Sequence, residues 1–506
     1  MRLLVVLVVV LLAVLVHDLL QRRHAILRTF PVVGHLRFLL EAVGPELRQY
    51  IVTDNDAERP FSRDQRRWIY ASAKGTENRF AFGTDNDLER APGYIVVKHA
   101  AFPLLEPDGG LGSAPAWAAP TATVLGGPRG RAQAVRMPSI VNVSSMSFGS
   151  LSGAAVRALN AGAGQAGCWQ GSGEGGPSSH HQQGGDLVWQ IGTAYFGCRD
   201  AAGRFDRARF LDRVAELPVR AVEIKLSQGA KAGLGGLLPA VKVTPEIAAA
   251  RGIPAGADCH SPPAHSAFGD ADSLLDFVED LASASGLPVG IKSAVGELDF
   301  WEDLAGRMAD GTRGVDFITI DGGEGGTGAA PLLFSDHVAL PFLLGFTRVR
   351  RAFAERGVAQ RVTWIGSGRL GLPERATLAF ALGCDAINVG REAMLAVGCI
   401  QAQRCHTGRC PTGVTAQNRW LERGIDTGDK AARVGSYLTA LRRELLTVSR
   451  ACGVPHPAFL GTEHVEVLDD HLGSRSSAEV FGYEPGWGRP AAEHLAALDQ
   501  LLTARR

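Results

Sequence analysis

From about Pro138 the chain alternates short β-branched runs with apolar-periodic helical stretches, and a polar, glycine-rich cluster closes nearly every run. That alternation constrains the fold most, because strand, crossover helix and strand repeat in this way only around a parallel sheet. The predicted strands are Ile140 to Met146, Val219 to Leu226, Val289 to Ser293, Val315 to Asp321, Arg361 to Ile365 and Asp385 to Val389. Helices are expected at Ser152 to Ala166, Ser273 to Ala284, His337 to Glu355 and Pro373 to Leu382. A doubly wound sheet and a closed eightfold barrel both fit this order. The clusters decide: Ser147 to Ser150, Gln228 to Gly236, Asp321 to Gly328, Gly366 to Arg369 and Gly390 with Arg391 all follow C-terminal strand ends, which converge on one face in a barrel. A doubly wound sheet would concentrate its glycines at the first turn. The expected class is therefore α/β, a (β/α)8 TIM barrel.

Gly162, Gly164 and Gly167 spell G-x-G-x-x-G, yet they close a helix instead of following a strand. They are read as small residues packing a helix end. Lysine plus arginine and aspartate plus glutamate each number 52, so the chain has no net charge and no electrostatic footprint for nucleic acid.

Leu3 to Val16 is an unbroken apolar run, with Arg2 before it and Arg22, Arg23 and Arg28 after it. Its length is marginal for a span, and a short buried helix or a secretory segment are rivals. No A-x-A cleavage pattern follows, and the positive flank predicts a single-pass inner-membrane anchor with the body in the cytoplasm. Ala25 to Val52 reads as an interfacial amphipathic helix or a packed one.

In barrels the last two strand-end loops commonly hold a phosphate, which here means Gly366, Ser367, Gly368, Gly390 and Arg391. Lys292 ends a strand, where it faces either an electron-rich ring or a salt-bridge partner. The segment Asp321 to Gly328 is a loop shaped for close approach to something bound. Cys399, Cys405 and Cys410 form C-x5-C-x4-C followed by Pro411, a metal-site spacing. His406 could complete a zinc set, while a closing Cys-Pro recurs in iron–sulfur runs. The other five cysteines read as small buried hydrophobes. His180 and His181 are adjacent and make a poor chelate.

Six ordered motifs carry a family likeness. Met146 to Ser152, Ser172 to Gly176, Glu223 to Lys231, Ser261 to Pro263, Gly325 to Gly328 and Gly398 to Pro411 resemble, in sequence, the FMN-binding barrel domain of glutamate synthases. The N-terminal region resembles that of the membrane-anchored bacterial subgroup. The likeness implies FMN touched by Met146, Ser147, Phe148, Gly149, Gln228 and Lys292, with its phosphate on Gly366, Ser367, Gly368, Gly390 and Arg391. It implies a [3Fe-4S] cluster on Cys399, Cys405 and Cys410, and a pocket lined by Glu174, Lys231 and Arg251 where 2-oxoglutarate and ammonia condense. There a cation holds the carboxylate and Glu174 shuttles a proton.

The expected organisation is a membrane anchor over 1–21, a lead-in region over 22–137, the barrel over 138–398, and over 399–506 a cysteine segment with an iron–sulfur and helical extension. Leu234 and Leu237 stand where authentic synthases carry Glu and Gln, so the accepted oxo acid is expected to differ. No glutamine-hydrolysing or NAD(P)H domain is visible, and electrons are expected from ferredoxin, another subunit or a membrane donor. Competing readings are a flavin oxidase or dehydrogenase of a hydroxy or amino acid, and a membrane-tethered electron-transfer subunit.

Overall fold

A computed structural model of the protein describes residues 2–50, 58–84, 86, 88, 91–105, 118–471 and 473–504, without side chains for 3 and 43–50. Eight parallel strands close a barrel. They are β1 (Val141–Val143), β2 (Gln170–Gly171), β3 (Leu187–Ile191), β4 (Val219–Lys225), β5 (Val289–Ser293), β6 (Phe317–Asp321), β7 (Thr363–Ser367) and β8 (Ala386–Val389). They pair in sequence order, and β8 returns to β1 with Ile387 opposite Val141 and Val389 opposite Val143. The eightfold barrel expected from the alternating pattern is thus the fold.

Residues two apart on a strand share a face, so the barrel interior is layered. At its N-terminal end Trp169, Ala221, Phe317, Ile365 and Ala386 cluster with Leu125 and Met137 from the hairpin ahead of β1, a dry plug. One layer up the interior turns polar. The buried Glu223 carboxylate accepts from Gln190 Nε2 at 2.6 Å and from the Thr319 hydroxyl at 2.7 Å. At the C-terminal mouth stand Lys225, Lys292 and Asp321, each less than a tenth exposed.

The plug is tied in by Arg131. Its Nε meets Asp316 Oδ2 at 3.0 Å and its Nη1 meets Glu279 at 2.6 Å, while Asp316 also accepts the Val289 N–H at 2.7 Å. The Asp316 side chain is fully buried, so Arg131→Met leaves a carboxylate stranded. The expected loss is about 3–5 kcal/mol in urea unfolding. A loss below about 1 kcal/mol would mean that the network does not hold the plug.

Gly162 and Gly164 pack closely as expected, whereas a Cβ on Gly167 would meet nothing within 4 Å and that residue instead supplies a φ of +63°. Gly162 lies in the helix Gly153–Gln165, and a Cβ there would sit 2.6 Å from the Ala431 carbonyl of the long C-terminal helix Thr427–Ala451. The helix Arg63–Lys74 also lies on that long helix, with Trp68 edge-on to Tyr437. Segments from both sides of the barrel sequence therefore meet on its flank.

The membrane anchor is a correction. Among the described residues no helix is long and apolar enough to cross a membrane, which overturns the expected single-pass placement with a cytoplasmic body and removes the ground for the membrane-anchored subgroup. The N-terminal helix runs Arg2–Leu20, but its unbroken apolar stretch, Leu3 to Val16, rises about 21 Å at ~1.5 Å per residue, short of a ~30 Å hydrocarbon core. Its last turn carries Asp18, fully buried, which takes the Val32 N–H at 2.8 Å and faces His35 Nε2 at 3.0 Å. The run therefore ends in a packed polar turn. The following stretch forms helices at Ala25–Thr29 and Gly34–Tyr50, with Ala25 and Leu27 buried; 51–52 lie outside the described residues.

Candidate active site

The connection from β4 to β5 folds over the barrel mouth. It makes a turn at Gly229–Lys231, an antiparallel pair of Leu237–Leu238 with Cys259–His260, and the helix Pro245–Arg251. The turn lies against the glycine loop after β6: a Cβ on Gly229 would stand 1.7 Å from the Gly322 carbonyl oxygen, so only glycine fits there. Asp321 fixes the approach by accepting the Gly229 N–H at 3.0 Å.

Beneath this roof is a small cleft lined by Glu174, Lys231, Leu237, Lys242, Arg251, Ser147, Ser150, Ser261, Cys405 and His406 among others. Glu174, Lys231 and Arg251 are far apart in sequence, and the fold brings all three to one cavity. Glu174 Oε2 pairs with Lys225 Nζ at 2.9 Å. Burial alone would raise the Glu174 pKa, but Lys225, Lys231 and Arg251 outweigh it and hold the carboxyl at about 2. Arg251, 5% exposed, donates to the Phe148 carbonyl at 3.2 Å and lies over the Phe196 ring. Lys242 donates to the carbonyls of Ser150 at 2.8 Å and Cys405 at 3.2 Å. Burial brings its pKa down to about 8.

Lys231 differs from these. Among the described residues its ammonium makes no hydrogen bond or ion pair, and burial pushes its pKa below the usual lysine range against the pull of Glu174. The cleft therefore holds an uncommitted cation and an ionised carboxylate within one wall.

The expected cofactor residues line the same face. Ser147 shares a 2.9 Å hydroxyl contact with Ser150, Gly149 has φ +102°, Phe148 is buried in the core and Met146 packs against that core. Gln228 Oε1 accepts from Lys225 at 2.9 Å. Lys292 lies 3.6 Å from Asp321 Oδ2, so its salt-bridge partner is present whatever else it faces. Ser367 pairs with Asn388, which sets the loops after β7 and β8 side by side. The Ser367 carbonyl also takes the Gly322 N–H at 2.9 Å, drawing the glycine loop to the same corner. Gly368 has φ +122°, open only to glycine, and the Arg369 Nε beside it is buried without a partner. An anionic group suits that corner, so the residues fit a flavin mononucleotide.

The three cysteines of the spaced run are unpaired thiols, Cys410 buried and Cys399 and Cys405 half-buried. Gln401 N–H donates to Cys399 Sγ at 3.4 Å, and the Thr412 hydroxyl lies 3.5 Å from Cys410 Sγ. Burial pushes the Cys399 thiol up to about 12 and raises Cys405. For Cys410 burial is outweighed by hydrogen bonds from Thr412 and Thr415, and its pKa is lowered. Among the described residues only Asp469, Asp470 and His471, mostly exposed, bring three such ligand atoms within 4.8 Å of one another. Three unpaired thiols with N–H and O–H donors beside two of them suit a thiolate-held metal centre.

Sequence reading passed over Lys225, Lys242 and Glu223. Lys225 and Glu223 alternate inward along β4 in Val-Glu-Ile-Lys, a period-2 signal that marks them as facing the interior. Nothing local marks Lys242, whose partners lie far away in sequence. His181 is buried, with Nδ1 3.0 Å from the Ser178 hydroxyl, in no chelate with His180.

Residues 128–455 match the family model described as the conserved region in glutamate synthase. The chain is 34% identical over 475 residues to the glutamate synthase large subunit-like protein YerD of Bacillus subtilis, covering 88% of this chain and 90% of that one. It is 32% identical to an archaeal glutamate synthase (NADPH) of Methanocaldococcus jannaschii, over 63% of this chain and 60% of the relative, so it spans less than two thirds of that protein's length. Among solved structures, a flavocytochrome b2 with sulfite bound is similar at 13% identity and a TM-score of 0.44, over 83% of this chain and 88% of that one. On its barrel and on the family match over most of its length, the chain belongs to the glutamate synthase family of oxidoreductases.

Proposed function

We propose that the chain is an FMN and iron–sulfur oxidoreductase that condenses ammonia with a small oxo acid and reduces the product to an amino acid. Condensation turns the C=O into C=N and releases water; reduction then adds a hydride to carbon and a proton to nitrogen. The observation that carries this reading is the uncommitted Lys231 ammonium, which opens on a cleft where Arg251 and Lys242 add positive charge and Glu174 alone among the named residues is an ionised acid. Such a cleft favours a small carboxylate.

In this reading Lys231 and Arg251 hold the substrate carboxylate, each at a fixed place because the roof helix and turn are pinned through Phe148 and Asp321. Glu174, already ionised, accepts hydrogen bonds from ammonia and orients it instead of supplying a proton. Met146 to Gly149, Gln228 and Lys292 would hold FMN, with Gly366 to Gly368, Gly390 and Arg391 at its phosphate. FMN bound there would supply hydride to the imine carbon. A [3Fe-4S] cluster on Cys399, Cys405 and Cys410 would feed electrons singly. Cys405 lines the cleft, which supports a short route from that segment. Ferredoxin or another subunit is the proposed donor.

The reading is tested by screening oxo acids with ammonia for reoxidation of the reduced protein. Leu237 lines the cleft at 49% exposure, while Leu234 is not among the lining residues, so Leu237 carries the selectivity. Leucine offers no hydrogen bond to a second carboxylate. We expect an oxo acid with an apolar side chain to be preferred over 2-oxoglutarate, and Leu237→Gln to move the kcat/KM ratio towards 2-oxoglutarate by about tenfold or more. Efficient 2-oxoglutarate turnover by the unmodified chain would remove Leu237 as a selectivity determinant.

A further inference from the structure

The segment ahead of the barrel reaches the corner where the loops after β7 and β8 meet. Phe61, 1% exposed, has the Arg369 guanidinium 5.4 Å from its ring centre and the Arg391 guanidinium 5.3 Å from it. Both lie within the ~6 Å reach of a cation–π contact. Arg369 follows Gly368 and Arg391 follows Gly390, so one ring serves an arginine from each loop. Arg369 holds φ +54°, a left-handed conformation uncommon for a side chain of this size and of the kind retained where a site requires it.

These arginines have few other partners. Arg369 Nη2 donates to Gln65 Oε1 at 3.4 Å, and Gln65 is itself fixed in a capping box with Ser62. Arg391 donates to the Glu324 carbonyl. Among the described residues neither guanidinium has a carboxylate within salt-bridge distance, and the buried Arg369 Nε has no partner at all. Burial, then the charges of Arg375 and Arg391, bring the Arg369 pKa down to about 10. Two half-buried cations, with Arg391 depressing Arg369 and no carboxylate within ion-pair distance of either among the described residues, suit a bound dianion. An aromatic face attracts both without neutralising either.

We propose that Phe61 is a positioning residue: its ring, supplied from outside the barrel sequence, holds Arg369 and Arg391 for the phosphate of the flavin. This rests on the FMN reading above. The phosphate makes the test specific, because riboflavin carries the same ring system without it. FMN and riboflavin are titrated into the full chain stripped of flavin, followed by quenching of flavin fluorescence. The unmodified chain is expected to bind FMN much more tightly than riboflavin. Phe61→Leu is expected to weaken FMN by about tenfold and leave riboflavin unchanged, which also reports that the barrel is folded. Phe61→Tyr, which keeps the ring face, is expected to return FMN affinity towards the unmodified value. Equal weakening of both flavins by Phe61→Leu would make the ring a packing residue only and overturn the proposal, as would unchanged FMN affinity. Equal binding of FMN and riboflavin by the unmodified chain would overturn the clamp and leave the flavin reading standing. Binding of neither flavin would sink that reading and the clamp with it.

Discussion

Lys231→Ala is expected to lower kcat/KM for every accepted oxo acid by about 10²–10³-fold while leaving the flavin bound. The other cations of the cleft are committed: Lys225 to Glu174 and Gln228, Lys242 to two carbonyls, Arg251 to the Phe148 carbonyl. Lys231 alone among these four can turn its whole hydrogen-bonding capacity to a substrate carboxylate. A carboxylate entering a half-buried cleft without that partner loses water and gains little in return. Lys231 also helps keep Glu174 ionised, although Lys225 is the larger of the charges acting on it, so the effect on Glu174 is secondary. The measurement is steady-state kinetics beside the flavin absorbance of the purified variant. A change below about threefold with saturable kinetics would place the carboxylate elsewhere.

Cys405→Ser is expected to remove essentially all bound iron and its visible absorbance while FMN remains. A serine hydroxyl is a poor ligand for a soft cluster site, and the loss of one of three thiolates leaves no closed set. FMN is expected to stay because its proposed holders lie on the barrel strand ends, whereas Cys405 belongs to the segment after β8. Anaerobic preparation with iron and zinc analysis is the check. One zinc and no iron in the unmodified protein would contradict the cluster.

The barrel was legible because its strands are β-branched and its glycines sit at strand ends. Two strands escaped that reading for physical reasons. β2 is only Gln170–Gly171, too short to carry a period, and β3, Leu187–Ile191, is enclosed by glycine-rich turns on both sides. Boundaries shifted where the ladder begins, as with Thr363–Ser367 against an expected Arg361 to Ile365. The N-terminal run misled because apolar length was counted without the buried Asp18 that ends it.

The cleft was legible in part. Glu174, Lys231 and Arg251 came from motif likeness, and the fold gathers them without any local signal that they would meet. Lys242 and Phe61 were invisible, because each acts across more than a hundred residues of chain: Lys242 on Cys405, and Phe61 on Arg369 and Arg391. No periodicity encodes such pairings. Lys292 reads from sequence as facing either a ring or a salt-bridge partner, and Asp321 beside it supplies the second without excluding the first.

Reductive amination is read directly in a single turnover of the anaerobically reduced chain with ¹⁵N-ammonia and a panel of oxo acids, by mass spectrometry of the product. A ¹⁵N-labelled amino acid formed in step with flavin reoxidation is expected, and its loss in Lys231→Ala. Flavin reoxidation by a hydroxy-acid or oxygen cycle with no labelled amino acid from any oxo acid would contradict it.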